Sequence, residues 1–163
     1  MALRIDIFLD KQTLELSEGD TLRRRYTVST AANGAGETMG SECTPRGLHR
    51  IADCIGADAP VNAVFVARQL TGEIYTPSLK AADPTRDFIL TRILRLAGCE
   101  PGRNCGGQVD SFARYIYIHG TPDDEPMGVP RSHGCIRMRN ADIVDLFAQV
   151  GEGVPVHIHP SRT

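Results

Sequence analysis

Long apolar runs are missing from this 163-residue chain, and none approaches the ~18 consecutive apolar residues of a membrane-spanning helix. The start, Met1-Ala2-Leu3-Arg4-Ile5-Asp6, has no basic segment followed by an apolar stretch, so no export signal is read there. The expected compartment is the cytoplasm, or the periplasm if a leader has been removed. An excess of positive charge is missing too: 18 Lys plus Arg stand against 20 Asp plus Glu, a net of −2. Nucleic acid and anionic membrane are therefore not the expected partners, and function must sit in a local site. The five cysteines (Cys43, Cys54, Cys99, Cys105, Cys135) are odd in number and irregularly spaced, which fits a reducing compartment better than a disulfide framework. Cys99 and Cys105 bracket a Pro/Gly loop and would pair only in an exported protein. Low-complexity tracts, linkers and repeats are absent, so a single domain over residues 1–163 is expected. Gly34, Gly36 and Gly40 lack the GxxxxGK[ST] order, and no matching helix follows, which argues against a phosphate cradle.

What is present is the composition of a soluble globule, 41% hydrophobic and 23% charged, large enough to fold without a metal or a disulfide. Leu3, Ile5, Ile7 and Leu9 alternate with Arg4, Asp6, Phe8 and Asp10, the period-2 pattern of a strand with one buried face. Leu14 and Leu16 repeat it, and Leu22, Tyr26 and Val28 alternate with arginines in a third strand whose Arg23 to Arg25 form a solvated face. Further strands are predicted over 48–55, 61–68, 72–75, 115–118 and 154–158, with a turn-rich loop over 33–47. Residues 83–97 admit two readings. Asp83-Pro84 resembles a helix N-cap with a first-turn proline, while 88–96 also suits a strand. Asn140 is expected to cap a helix that buries Ile143, Val144, Leu146 and Phe147 and stops at Gly151. Many strands with one or two short helices predict a mainly β sandwich or barrel. His49, His157 and His159 fall in predicted strands and read as structural or exposed, Cys54 reads as core, and Cys43 as a loop residue near Thr44-Pro45.

The chemistry concentrates in Tyr117-Ile118-His119-Gly120-Thr121 and Ser132-His133-Gly134-Cys135-Ile136-Arg137-Met138. A histidine ending a buried strand and a cysteine after a His-Gly turn meet when the intervening loop folds back. The thiolate is the attacking species, and an imidazole beside it can take its proton to form a reactive ion pair at neutral pH. Gly134 lets the backbone approach closely, so successive N–H groups can point at an oxyanion. Buried structural roles for the same Cys and His residues remain the competing reading.

These residues resemble the L,D-transpeptidase (YkuD) catalytic domain, whose hallmark is a strand ending in His-Gly followed by Ser-His-Gly-Cys, a hydrophobic residue and Asn or Arg. The resemblance extends to Asn33-Gly34, to residues 36–41 and to Thr44-Pro45-Arg46-Gly47, and covers residues 5–158. It implies a mainly β fold in which 88–96 is a strand. It makes Cys135 the nucleophile, His119 the general base and the Gly120 carbonyl the partner of the ring's other nitrogen. The amides of His133, Gly134 and Cys135 would form the oxyanion hole, with His133 the rival base. Arg137, which stands where many members have Asn, is the candidate contact for a substrate carboxylate, and Ser132 and Tyr117 are the other candidate substrate contacts. No cofactor is implied.

The implied reaction is attack of Cys135 on the L,D peptide bond of a peptidoglycan tetrapeptide stem, with loss of D-alanine and formation of a thioester. Water as acceptor makes the enzyme an L,D-carboxypeptidase of muropeptide recycling; an amine on a neighbouring stem makes it a crosslinking L,D-transpeptidase. The absent export signal favours the first. Stem peptides or soluble muropeptides are the implied partners, and carbapenem-type β-lactams the implied acylating inhibitors. Two other readings stand beside these: a zinc site built from His119, His133 and Cys135 with Cys99 or Cys105, and a non-catalytic wall-binding module on the same fold.

Overall fold

The first strand, β1 (Leu3–Phe8), sends Ile5 and Ile7 into the interior with no exposed surface, as its alternation predicts. A computed structural model describes residues 2–161; Met1 and residues 162–163 lie outside it, and with them the reading placed on the chain start. β2 (Thr13–Glu18) and β3 (Thr21–Ser29) continue an antiparallel meander. β4 (Gly47–Ile55) follows the turn-rich loop, and the hairpin β5 (Ala63–Val66) and β6 (Gln69–Ile74) comes next. After helix α1 (Pro77–Ala82) run β7 (Ile89–Gly98), a 3-10 turn at Gly107–Val109, β8 (Tyr117–Thr121), β9 (Ile136–Arg139), helix α2 (Asn140–Gln149) and β10 (Pro155–His159).

The strands form one sheet in the order β4-β10-β1-β2-β3-β9-β8-β7-β5-β6, and β4 also pairs with β7. That last pairing closes the sheet into a barrel and leaves β5–β6 as a flap on the first residues of β7. The core joins inward residues of the barrel strands to Ile143 and Leu146 of α2. Each fully buried Ile or Leu contributes roughly 1.5–3 kcal/mol, so the closed interior is the main source of stability. The mainly β architecture with two helices is the one the sequence predicts.

Several local expectations are corrected. Leu22 is 44% exposed, because a bulge opposite Leu16/Ser17 breaks the alternation of β3 before it reaches that residue. Arg23, Arg24 and Arg25 are solvated, as expected, and pair with Glu18, Asp145 and Glu15. Asp83 is a C-cap and not an N-cap: the helix lies before it, with Pro77 in its first turn and the Thr76 hydroxyl accepting the Leu79 N–H at 3.3 Å. Residues 89–98 are a strand. Its burial recurs at two positions in three because β7 is bonded to β4, β5 and β8 while α2 packs against it, so the run mimics a helical period. Asn140 is the first residue of α2 and Arg139 holds the cap position; the helix ends at Gln149 with Val150 as its cap, and Val144 and Phe147 are only partly buried. β5 is shorter than the predicted 61–68, and β8 starts at Tyr117, not Tyr115.

Candidate active site

Parallel neighbours need a crossover of a dozen or more residues, and the loop over 122–135 supplies it between β8 and β9. Register then places His119 opposite Arg137 and Ile118 opposite Ile136, with Cys135 immediately before the strand. The two motifs read from the sequence therefore meet on adjacent strands. Gly120, beside His119, has no room for a side chain: a Cβ there would lie 2.6 Å from both the Asn140 Oδ1 and the Leu90 carbonyl. Asn140 is buried in a network that accepts from the Thr91 hydroxyl at 2.6 Å and donates to Asn62 at 2.9 Å and Asp123 at 3.1 Å. Thr91 itself has φ +75° at the bulge where β7 passes β8, a backbone conformation rare for a β-branched residue and characteristic of strands that border functional sites.

The turn that presents the thiol is held from both sides. The Ser132 hydroxyl donates to the Cys135 carbonyl at 2.5 Å and accepts the Gly134 N–H at 3.2 Å. Gly134 has φ +131°, and a Cβ on it would press on the Cys43 carbonyl at 3.2 Å, so only glycine sits here without strain. The Thr44 hydroxyl donates to the Gly134 carbonyl at 2.9 Å, and the Arg114 guanidinium donates to the Cys43 carbonyl at 2.7 Å. The glycine-rich loop is thus a brace for the nucleophile's turn. Cys43 contributes its backbone there, while its thiol faces the Asn33 and Ser41 carbonyls at 3.6 Å.

The half-buried Cys135 thiol donates to the Tyr115 carbonyl at 3.3 Å and accepts the Tyr117 N–H at 3.3 Å. His119 is 1% exposed, and its Nδ1 lies 2.6 Å from the Gly120 carbonyl. A carbonyl only accepts, so the proton of the neutral ring is on Nδ1 and the lone pair on Nε2, the arrangement a general base requires. Burial pushes the His119 imidazole below its ordinary range and the Cys135 thiol up to about 11. Burial thus penalises the charged form of each group.

Tyr117 has a buried ring packed with Phe65 and Ile93, and its hydroxyl accepts from Arg68 at 2.9 Å, so it meets the thiol through its backbone. His133 is exposed and its Nδ1 lies 3.2 Å from Asp87 Oδ2. Arg137, 7% exposed, donates to Asp87 Oδ1 at 2.8 Å and has a second carboxylate, Glu125, at 3.9 Å, while its Nε is buried without a partner. Asp87 was not visible in the sequence. Burial raises its carboxyl pKa, but Arg137, the nearby His119 and the bond to His133 bring it net below the usual carboxylate range. Arg114, also missed, is a second cation whose field favours the thiolate. A buried arginine calls for a carboxylate partner, yet nothing local in the sequence selects Asp87, 50 positions away. His119 Nδ1 turns to Gly120, His133 Nδ1 to Asp87 and the Cys135 thiol to Tyr115, and among the described residues these three do not form a metal-ligating group.

Comparison with known proteins agrees with this geometry. The model of the YkuD L,D-transpeptidase catalytic domain matches residues 2–158. YkuD of Bacillus subtilis (strain 168), itself named by inference as an L,D-transpeptidase, is 30% identical over 90% of this chain and 98% of its own length. YbiS of Escherichia coli (strain K12), named in the same way, is 31% identical over 63% of this chain and 33% of its own. Among solved structures, the L,D-transpeptidase of Xylanimonas cellulosilytica superposes with a TM-score of 0.56 at 18% identity, over 97% of this chain and 60% of that one. L,D-transpeptidase 3 of Mycobacterium tuberculosis, solved with a faropenem-derived adduct, superposes with a TM-score of 0.60 at 16% identity, over 97% and 60%. The chain spans about 60% of those two structures, which share its fold. With His119-Gly120 on β8, Ser132-His133-Gly134-Cys135 in the turn that leads into the adjacent β9, and the family model matched from end to end of the barrel, the chain belongs to the L,D-transpeptidase (YkuD) catalytic-domain family.

Proposed function

We propose that the protein is a cysteine L,D-carboxypeptidase that removes D-alanine from the tetrapeptide stems of soluble muropeptides in the cytoplasm. The observation that carries the chemistry is the 2.6 Å contact of His119 Nδ1 with the Gly120 carbonyl, which fixes Nε2 as the free basic atom beside the Cys135 strand. In the first step the Cys135 thiol rotates from the Tyr115 carbonyl, gives its proton to His119 Nε2 and attacks the carbonyl of the third stem residue. The N–H groups of His133 and Cys135 face the developing oxyanion, the Gly134 N–H being engaged by Ser132. Collapse breaks the C–N bond, and the departing D-alanine amine takes the proton from His119. Water then gives a proton to His119 and attacks the thioester, releasing the tripeptide acid and restoring the thiol.

Arg137, aligned with His119, is the contact proposed for a stem carboxylate. The odd number and irregular spacing of the five cysteines support a reducing compartment, where free muropeptides and not assembled wall would be the available substrate. An amine acceptor would make the same residues a crosslinking transpeptidase. Mass spectrometry of a soluble tetrapeptide muropeptide, with and without a free D-amino acid, tests the choice. Loss of one alanine with little acceptor incorporation is expected; dominant incorporation would establish transpeptidation instead. Cys135→Ala is expected to abolish both, and to abolish the mass adduct that a carbapenem leaves on the wild-type chain. Tetrapeptide binding without turnover by the wild type would support the wall-binding reading.

A further inference from the structure

On the outer face of the barrel, β10 and β1 run parallel with His157 opposite Asp6. Val156 and Ile158 of β10, and Ile5 and Ile7 of β1, are all buried in the core. Alternation along a strand therefore forces His157, His159 and Asp6 outward together. The outcome is a compact group: one donor atom from each of the three lies within 4.8 Å of the other two. We propose that Asp6, His157 and His159 form a binding site for one late first-row divalent cation, Zn²⁺ being the best fit.

Two imidazoles two residues apart on a strand, plus one carboxylate, are borderline ligands that suit Zn²⁺, Ni²⁺ or Cu²⁺, whereas Mg²⁺ and Ca²⁺ require more oxygen donors than this cluster offers. The geometry is already partly drawn in. His159 Nε2 is hydrogen-bonded to Asp6 Oδ1 at 2.8 Å, a contact that a tetrahedral ion would replace by letting the two atoms part to about 3.3 Å. The His157 ring, stacked on His159 at 4.0 Å between centroids, has to swing by on the order of 1 Å to bring a nitrogen to the ~2.0–2.1 Å zinc bond length. The surroundings resemble those that orient ligands. Arg4 donates to the other Asp6 oxygen at 2.7 Å, and Phe8 stacks on His159 at 4.9 Å between centroids. Ligation needs neutral imidazoles, so binding should strengthen as pH rises. An ion here would tie β10 to β1 through side chains as well as through their ladder, and would act as a structural clip outside the acyl-transfer machinery.

The test uses the full chain stripped with chelator and titrated with Zn²⁺ by calorimetry and with Co²⁺ by absorption spectroscopy. The expected result is one equivalent per chain, no thiolate-to-cobalt charge-transfer band, and a Tm rise of roughly 5–10 °C at a hundredfold excess over Kd. Binding should persist in Cys135→Ala and weaken at least tenfold in both His157→Ala and Asp6→Asn. His157 is exposed, so its variant should keep the wild-type circular dichroism and metal-free Tm, and it carries the test alone if Asp6→Asn does not fold. Absence of saturable heat, unchanged affinity in His157→Ala, or a thiolate band that reports an ion on cysteine would each overturn the proposal.

Discussion

At the scale of single residues, His119 must stay neutral to act as a base, and burial with the Nδ1 contact to Gly120 achieves this. Because its pKa is lowered, the acid limb of kcat/KM should fall below the ordinary imidazole value near 6.5. His119→Ala should reduce turnover about 100-fold or more in steady-state hydrolysis of the tetrapeptide. Near-full activity in that variant would hand the base role to His133, whose ring is instead turned to Asp87. Asp87 supports a second prediction. It holds the buried Arg137 by a charge-assisted bond at 2.8 Å, but is itself 39% exposed, so screening limits what the pair adds to stability. Asp87→Asn should therefore lower stability by only about 1 kcal/mol, read from urea midpoints. If Arg137 positions a stem carboxylate, KM should rise about tenfold with kcat nearly unchanged, the cost of one misdirected charge-assisted bond. A fall in kcat alone would place Arg137 at the reacting atoms.

At the scale of elements, buried His49 makes the stability of β4 depend on pH. Its ring contacts the Gly47 carbonyl at 3.0 Å and the Ser111 hydroxyl at 2.8 Å, with no solvent exposure. Burial lowers its pKa from 6.5 to about 4, so the folded chain keeps it neutral where the unfolded chain takes a proton. The stability His49 contributes is thus complete above pH 6.5 and drains as pH falls toward 4, a change on the order of 3 kcal/mol. Chemical denaturation between pH 7 and pH 4 should show this loss. His49→Gln should flatten the slope without abolishing it, since His119 shifts in the same direction. How legible an element was in the sequence depends on its faces. β1 and β10 have one face in the core and one in water, and their alternation survives. β7 is covered on both sides and bulged at Thr91, so alternation is lost and the helical reading competes. Asn140 has the chemistry of a cap, but a buried network draws its side chain to Thr91, Asn62 and Asp123. Cys135 and His119 were legible because their motifs are local; Asp87 and Arg114 act across long sequence separations for which one sequence carries no pairing signal.

At the scale of the whole molecule, barrel closure and the flap divide the chain into regions of unequal cohesion. β7 sits at the junction, bonded to β4 and β8 within the ring and to β5 at its start, with α2 against it. Among the described residues β6 has β5 as its one strand neighbour, Glu73 on it is salt-bridged to Arg86, and Leu70 and Ile74 remain about half exposed at 54% and 48%. An edge strand with little buried surface opens locally without unfolding the ring. Its opening matters to the site, because Arg68 at the hairpin turn bonds the Tyr117 hydroxyl and lies 4.8 Å over the Tyr115 ring, the two residues whose backbones hold the thiol. Native-state hydrogen exchange should therefore show β6 amides exchanging roughly a hundredfold to a thousandfold faster than those of β7 residues 93–97. Arg68→Ala should speed β6 much more than β7, since it removes a tie between flap and ring and leaves the ladder that closes the barrel intact. Equal acceleration of β7 would mean that flap and ring open as one unit.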